Sequence, residues 1–177
     1  MRDMLFERVG KKSGSDRDGS MIDIVVRPAV LSDLDILYEF EQAIIEAERP
    51  FDPAIRTDEN VHYYDLPALI ASPDTELVVA KVDGRIVGCG YARIESSKSY
   101  LRHRGHSYLG FMYVTPPLRG KGVNKMILKA LEAWSAARGI TDFKLEVYID
   151  NVAAIRAYEK AGYSGIVLEM QKRIAKS

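Results

Sequence analysis

A basic, glycine-rich segment stands directly before a helical pattern in the last third of the chain. Residues 119–125 contain two glycines and three cationic side chains. The positions that follow predict a helix with one apolar face, because they recur at i, i+3, i+4, i+7, i+8 and i+11: Val123, Met126, Ile127, Ala130, Leu131 and Trp134. At a helix N-terminus, free backbone N–H groups and the positive dipole end point outward together. The segment is therefore a phosphate site or a plain glycine-rich helix entry.

Two common phosphate-binding motifs do not fit this segment. A Walker-type loop needs four residues between its glycines and then Gly-Lys-Ser/Thr, and the sequence has neither. A dinucleotide fingerprint needs a third glycine where this chain has Lys125. That fingerprint also opens a parallel sheet, whereas here antiparallel strands are predicted upstream.

Alternating and helical patterns predict an α+β fold. Strand patterns cover residues 23–27, 76–82, 85–95, 107–115, 143–149 and 166–172. Helical patterns begin at Ser32, lie within 59–70, run from Val123 to a stop at Gly139, and cover 152–160. The Asp83-Gly84 turn signal joins two of three consecutive strands into an antiparallel meander. We expect one mixed, mostly antiparallel sheet flanked by helices.

The composition is that of an ordinary globular domain. The 177 residues are 47% hydrophobic and 28% charged, with a formal net charge of zero. Zero net charge argues against a nucleic-acid partner, and no apolar run approaches the ~20 residues of a membrane span. The single cysteine, Cys89, lies in an apolar run, so we expect a small buried hydrophobe, no intrachain disulfide and a cytoplasmic protein.

The first twenty residues differ from the rest. Residues 10–20 are small, charged and without periodicity, which predicts a flexible N-terminal extension over residues 1–20. Met21 is an alternative first residue of the natural protein. Residues 21–177 are predicted to form one domain.

Two blocks of sequence carry a family resemblance. In YVTPPLRGKGVN, Arg119 and Gly122 match the motif Arg/Gln-x-x-Gly-x-Gly/Ala, while Asn124 replaces its last small residue. In LEVYIDNVAAIRAYEKAGY, Asn151 precedes a short helix that carries Tyr158. Together these blocks, over residues 108–165, resemble the GNAT superfamily of acyl-CoA N-acyltransferases.

The resemblance implies a GNAT domain with two splayed central strands, and acetyl-CoA as co-substrate without a metal. The pyrophosphate would lie on Arg119, Gly120, Lys121, Gly122, Val123, Asn124 and Lys125. The pantetheine arm would pair with main-chain groups of Met112, Tyr113 and Val114. Asn151 would bond this arm or cap its helix.

The resemblance further implies N-acetyltransferase chemistry: direct attack of a primary amine, from a small molecule or a protein N-terminus, in a ternary complex. Tyr158 matches the family tyrosine that contacts and protonates the leaving thiolate. The strand before the glycine loop has no carboxylate, so the base stays open, with Glu95 the first choice and Glu41, His62, Asp65 and Tyr108 as alternatives. Phe51, His62, Tyr63 and Tyr64 are expected to line the acceptor pocket.

A second hypothesis is that the protein has this fold but does not catalyse acetyl transfer. A module that binds and senses acyl-CoA would explain Asn124 and the lack of an evident base, whereas Tyr158 favours an enzyme. Exposed sheet edges also predict a homodimer.

Overall fold

Five strands form one open sheet in the part of the chain that the computed structural model describes, residues 14–15, 21–58, 61–172 and 174. In sheet order they are Ile24–Pro28 (β3), Thr75–Val82 (β4), Arg85–Ser96 (β5), Gly105–Val114 (β6) and Phe143–Lys144 (β7). A separate ladder joins Gly14–Ser15 (β1) to Met21–Ile22 (β2). Strands β3 to β6 are antiparallel neighbours and β7 is parallel to β6, which confirms the mixed, mostly antiparallel sheet.

Helices cover both faces of the sheet. These helices are Leu34–Glu48 (α1), Leu66–Ala71 (α2) and Val123–Ala136 (α3), and a further helix, Val152–Lys160 (α4), follows later in the chain. On β6, Tyr108 packs against the core shared with α1 and α2, whereas the adjacent Ser107 donates to Ser135 of α3 at 2.7 Å. Successive strand residues point to opposite faces, so α3 lies on the face opposite α1. Within the described ranges, no helix is long and apolar enough to cross a membrane.

The chain divides after Glu146 into two units, Met1–Glu146 and Val147–Ser177. The first contains the sheet and α1 to α3, and the second contains α4. The extension predicted over residues 1–20 falls outside the described residues, apart from Gly14–Ser15. One domain over residues 21–177 stays a prediction.

Two predicted strands are wrong in extent. Only Phe143–Lys144 of residues 143–149 forms a strand, and residues 166–172 form none. The alternating pattern shows that these residues favour extended backbone. A strand forms only where a neighbouring strand pairs with it through backbone hydrogen bonds, and propensity does not reveal whether such a neighbour exists.

The predicted second helix is also shorter than its pattern. Of residues 59–70, only the part from Leu66 onward is helical, while 59–60 lie outside the described residues. The Oδ1 atom of Asp65 accepts a hydrogen bond from the Ala68 N–H at 3.0 Å and caps α2, and Pro67 occupies its first turn. Asp65, one of the alternative bases, therefore has a structural role.

The entry to α1 depends on Asp33 rather than on the predicted cap Ser32. The Asp33 carboxylate is buried, accepts two hydrogen bonds from the Arg27 guanidinium of β3 at 2.7 and 2.8 Å, and accepts one from the Val30 N–H at 2.9 Å. A hydroxyl could not match this bidentate ion pair. The hydrogen bonds from Arg27 hold the pKa of Asp33 below its usual value.

We expect Asp33→Asn to lower the free energy of unfolding by about 2 kcal/mol at neutral pH. Because the pKa of Asp33 is lower in the folded chain than in the unfolded one, this stabilisation is fully present above about pH 4 and is lost as pH falls through the folded-state pKa. Urea unfolding at pH 7 and pH 3 measures the difference. Asp35→Asn, at an exposed acid two residues on, is the matched control; equal losses at both sites would contradict the assignment.

Candidate active site

Strand β6 is interrupted by a bulge. Two of its residues, Phe111 and Met112, oppose the single Gly90 of β5. Phe111 has a left-handed φ of 54° although it is 2% exposed, and its carbonyl accepts a hydrogen bond from the Cys89 Sγ at 3.4 Å. Cys89 is fully buried, as predicted, and burial raises its pKa. A strained, buried backbone of this kind is held by its surroundings and is typical of functional positions.

The edge of β6 beyond this bulge is open. Strand β7 pairs with β6 only at Ser107 and Tyr108. Among the described strands, none pairs with this edge over residues 109–114, which include Met112, Tyr113 and Val114. The two strands therefore splay as the family resemblance implied. Free main-chain N–H and C=O groups on such an edge can pair with an extended ligand.

The glycine loop leads from this edge into α3. Gly120 and Gly122 have φ values of 76° and 88°, and no described atom lies within 4 Å of a Cβ built on either. Gly122 is the N-cap, since its carbonyl accepts the Met126 N–H at 3.1 Å. The N–H groups of residues 123–125 therefore have no acceptor within the helix and are open to a ligand. Side chains at these glycines would be strained and would stand in that space.

Arg119 lies at the junction of strand and loop. Its Nε donates to the Val114 carbonyl at 3.0 Å, and its guanidinium carbon lies 5.9 Å from the centre of the Tyr113 ring. Arg119 and Lys125 are exposed. Positive side chains, open amides and vacant space above two glycines together fit a diphosphate.

On the α1 face, a loop is anchored by a buried carboxylate. Glu41 of α1 is 0% exposed and accepts hydrogen bonds from the His62 ring and from the N–H groups of Tyr63 and Tyr64. The Tyr64 ring lies with its centre 4.9 Å from that of Phe111. Three predicted acceptor residues therefore share one loop, and Tyr64 places that loop over the β6 bulge.

The fourth predicted acceptor residue is Phe51. It follows α1 in a turn in which its N–H donates to the Glu48 carbonyl at 2.8 Å. Its role in the acceptor pocket stays a prediction.

A second carboxylate, missed in the sequence, lies beside the open edge. Glu146, which is exposed and follows β7 by two residues, lies near enough to the Tyr108 phenol for its charge to raise the pKa of that phenol. Burial and then Glu146 raise the pKa of Tyr108, and burial raises that of Tyr91, so both phenols stay protonated near neutral pH. The sequence does contain Glu146, inside the LEVYIDN block. Its neighbour Tyr108 lies on a strand 38 positions earlier, so no local pattern brings the two residues together.

Glu95, the first choice for the base, already has a cationic partner. Its Oε1 accepts hydrogen bonds from Arg93 at 2.9 and 2.5 Å, and its Oε2 lies 3.6 Å from the His106 ring. The Arg93 guanidinium in turn lies over the rings of Tyr91 and Tyr108, at 5.8 and 5.7 Å from their centres. Across the described residues, no three His, Cys, Asp or Glu side chains are grouped to hold a metal ion.

Asn151 and Tyr158 belong to the second unit. The Asn151 Oδ1 accepts the Ala154 N–H at 3.2 Å and caps α4, whose bounds agree with the predicted helix. The Tyr158 ring makes an edge-on contact with Tyr163, with centres 6.0 Å apart. The capping role of Asn151 is thus observed, while its contact with pantetheine and the acid role of Tyr158 stay predictions.

A comparison with known protein families identifies the family to which this chain belongs. The profile of the acetyltransferase (GNAT) family matches residues 41–163, more than half of the chain. The chain belongs to the acetyltransferase (GNAT) family. The matched range contains the anchored loop, the bulged strand, the glycine loop and α4.

Relatives of this GNAT chain are acetyltransferases. It is 29% identical over 123 residues to the IAA acetyltransferase of Azospirillum brasilense, covering 70% of this chain and 75% of that protein. It is 28% identical over 101 residues to the aminoglycoside N(6')-acetyltransferase type 1 of Klebsiella aerogenes, covering 57% and 66%. Its fold resembles a predicted acetyltransferase from Clostridium acetobutylicum solved with acetyl-CoA, at a TM-score of 0.66, 19% identity, and 84% and 96% coverage.

We expect Gly122→Ala to reduce the stabilisation of the protein by acetyl-CoA. At 100 times Kd the unsubstituted chain should gain about 2.7 kcal/mol, whereas a methyl group on the open side of the loop should remove most of that gain. Gly139→Ala is the matched control, because Gly139 also has a positive φ, 78°, and open space, but lies at the other end of α3. Both variants should lose about 1–2 kcal/mol of intrinsic stability. Thermal unfolding with and without acetyl-CoA separates the two effects, and equal ligand shifts would contradict the cradle.

Proposed function

We propose that the protein transfers the acetyl group of acetyl-CoA to a primary amine, by direct attack in a ternary complex. The observation that supports this most strongly is the continuity of the open β6 edge with the glycine loop. One stretch of free main-chain groups, residues 109–114, leads directly into the cradle before α3. That order suits a thioester arm that ends in a diphosphate.

Acetyl-CoA would be held by this stretch and would supply an activated acetyl thioester. The amides and cations of residues 119–125 would hold its pyrophosphate. Main-chain groups of Met112, Tyr113 and Val114 would pair with its arm, and one N–H among them would stabilise negative charge on the carbonyl oxygen. Asn151 would add a contact while it caps α4.

Glu146 is better placed than Glu95 to accept the proton of the acceptor ammonium. Glu146 is exposed and lies near the Tyr108 phenol, whereas Glu95 carries a direct ion pair with Arg93. Two donors of Arg93 already occupy the Oε1 of Glu95, so this oxygen is less accessible to an incoming ammonium. Glu95 stays the base predicted from the sequence, and Glu146 is the proposal from geometry.

Tyr158 would donate the proton that the departing thiolate needs. A phenol with a pKa near ~10 suits a thiolate whose conjugate acid has a pKa near ~8.5. A small amine fits the proposed acceptor face, where aromatic rings of Tyr64, Tyr91 and Tyr108 stand near a carboxylate. One relative is named as an aminoglycoside acetyltransferase, and we carry the aminoglycoside class of amine here as a hypothesis. A protein N-terminus, a cytoplasmic location and a homodimer stay predictions from the sequence.

A module that only binds acyl-CoA is the second candidate. It is favoured by Asn124, which replaces a small residue of the glycine motif in the first turn of α3.

Tyr158→Phe distinguishes the two candidates. We expect the unsubstituted protein to release thiol from acetyl-CoA with at least one of neamine, spermidine, free amino acids or a peptide with a free N-terminus. The variant should lose about 100-fold or more in kcat while its affinity for acetyl-CoA, measured by calorimetry, is unchanged. Binding of acetyl-CoA without thiol release on the whole panel would instead support the binding module.

Glu146→Gln should lower kcat by about 100-fold or more, because the amide cannot accept the ammonium proton. The isosteric change removes the charge and keeps the shape of the side chain, so acetyl-CoA binding should be retained. Glu95→Gln is the matched comparison and should have a smaller effect. The pH dependence of kcat/KM for both variants measures this, and a larger loss in Glu95→Gln would return the base to Glu95.

A further inference from the structure

The two oxygens of the buried Glu41 carboxylate have separate tasks. Oε1 accepts both backbone bonds, from the N–H groups of Tyr63 at 2.7 Å and Tyr64 at 2.9 Å. Among the described residues, the hydrogen-bond partner of Oε2 is the Nδ1 of His62, at 2.7 Å. One oxygen therefore fixes the course of residues 61–64, and the other fixes the orientation of one imidazole.

This pairing selects the tautomer of His62. A carboxylate oxygen accepts hydrogen bonds, so in the neutral form of the ring this contact favours the proton on Nδ1. Its Nε2 is then a hydrogen-bond acceptor. The His62 side chain is 53% exposed, and the Tyr38 ring meets it edge-on with centres 5.6 Å apart. The imidazole is thus held on one side by Glu41 and is accessible to a ligand.

The same loop lies at the proposed acceptor face. Tyr64, two residues from His62, packs on Phe111 at the bulge and on Tyr91, with ring centres 4.9 and 5.7 Å apart. The bulge immediately precedes the stretch of β6 on which the acetyl thioester would lie. An acceptor amine that reaches this stretch along the α1 face would pass the loop that carries His62.

We propose that His62 selects acceptors that carry a second hydrogen-bond donor, an ammonium or a hydroxyl group, in addition to the reacting amine. The Nε2 of His62 accepts a hydrogen bond from that group, and Glu41 is the positioning residue that directs the proton of the neutral ring to Nδ1. The inference rests on the proposed function and narrows its substrate class to polyamines and hydroxylated amines rather than simple alkylamines.

Glu41→Gln tests the assignment with a change of one atom. The amide oxygen can still accept the N–H groups of Tyr63 and Tyr64, so the loop should keep its course. The amide NH2 would face His62 and donate to Nδ1, which moves the ring proton to Nε2. Nitrogen-15 NMR of the imidazole should show the Nδ1–H tautomer in the unsubstituted protein and the Nε2–H tautomer in the variant, independently of any activity.

The kinetic consequence should be confined to the acceptor. With neamine or spermidine, Glu41→Gln should raise the acceptor KM by about 10- to 100-fold, the effect of losing one hydrogen bond to a charged group. The KM for acetyl-CoA and the kcat should stay unchanged. With hexylamine, which has no second donor, the acceptor KM should not move.

Two histidine variants complete the test. His62→Asn keeps an amide N–H for Glu41 but has no equivalent of Nε2, so it should reproduce the rise in KM. His103→Asn is the matched control, since the Nδ1 of His103 lies 3.2 Å from the Asp142 carboxylate, between β5 and β6. It should leave every parameter unchanged.

The outcomes separate this inference from the proposed function. If the tautomer does not change in Glu41→Gln, or if it changes while the KM for neamine and spermidine does not, the role of His62 is overturned. It is also overturned if neither amine shifts the His62 Nε2 resonance of the CoA-bound protein. A shift of that resonance without thiol release would uphold acceptor binding at His62 and overturn the proposed acetyl transfer instead.

Discussion

The bulge at Phe111 is the constraint on which the two halves of the proposed site depend. A regular β6 would alternate its side chains without interruption. By inserting one residue opposite Gly90, the strand turns both Phe111 and Tyr113 toward the α1 face, where they pack on Tyr64 and Phe40. The left-handed φ at Phe111 costs on the order of 1–3 kcal/mol, which the surrounding apolar contacts must offset. As a result, aromatic side chains pack below the loop that Glu41 anchors, and the main chain of β6 directly after the bulge has an open edge.

The buried carboxylate of Glu41 fixes the loop that packs on these aromatic side chains. Burying a carboxylate is unfavourable unless its oxygens are hydrogen-bonded. Glu41 meets this requirement with two backbone N–H groups and one imidazole, none of which belongs to its own helix. The loop in turn has no regular secondary structure from which to take its shape. The hydrogen bonds to the Glu41 carboxylate therefore take the place of the backbone hydrogen bonds that would fix a strand. They give the short irregular segment 61–64 a defined course.

The parts of this molecule that follow local rules were predictable from the sequence, and the parts that depend on distant partners were not. The stripe on α3, the stop at Gly139 and the bounds of α4 each follow from neighbouring residues. The bulge leaves no local sign, because Phe111 is an ordinary apolar residue in an ordinary strand pattern. Glu41 and His62 were both considered as bases, yet their contact spans 21 positions and depends on how the loop returns to α1. Likewise the truncation of β7 exposes Glu146, which the alternating pattern had placed inside a continuous strand.

Charge then distinguishes the two ends of the proposed site although the whole chain is neutral. Arg119, Lys121 and Lys125 surround the loop proposed for a diphosphate. On the proposed acceptor face, the Arg93–Glu95 pair cancels itself, and the phenols of Tyr91 and Tyr108 stay uncharged because their pKa values are raised. The carboxylate of Glu146 is an exposed charge near Tyr108. A polyanion would be attracted to the cationic end of β6 and an ammonium to the end near Glu146. The arrangement therefore favours the simultaneous binding that the proposed direct transfer requires.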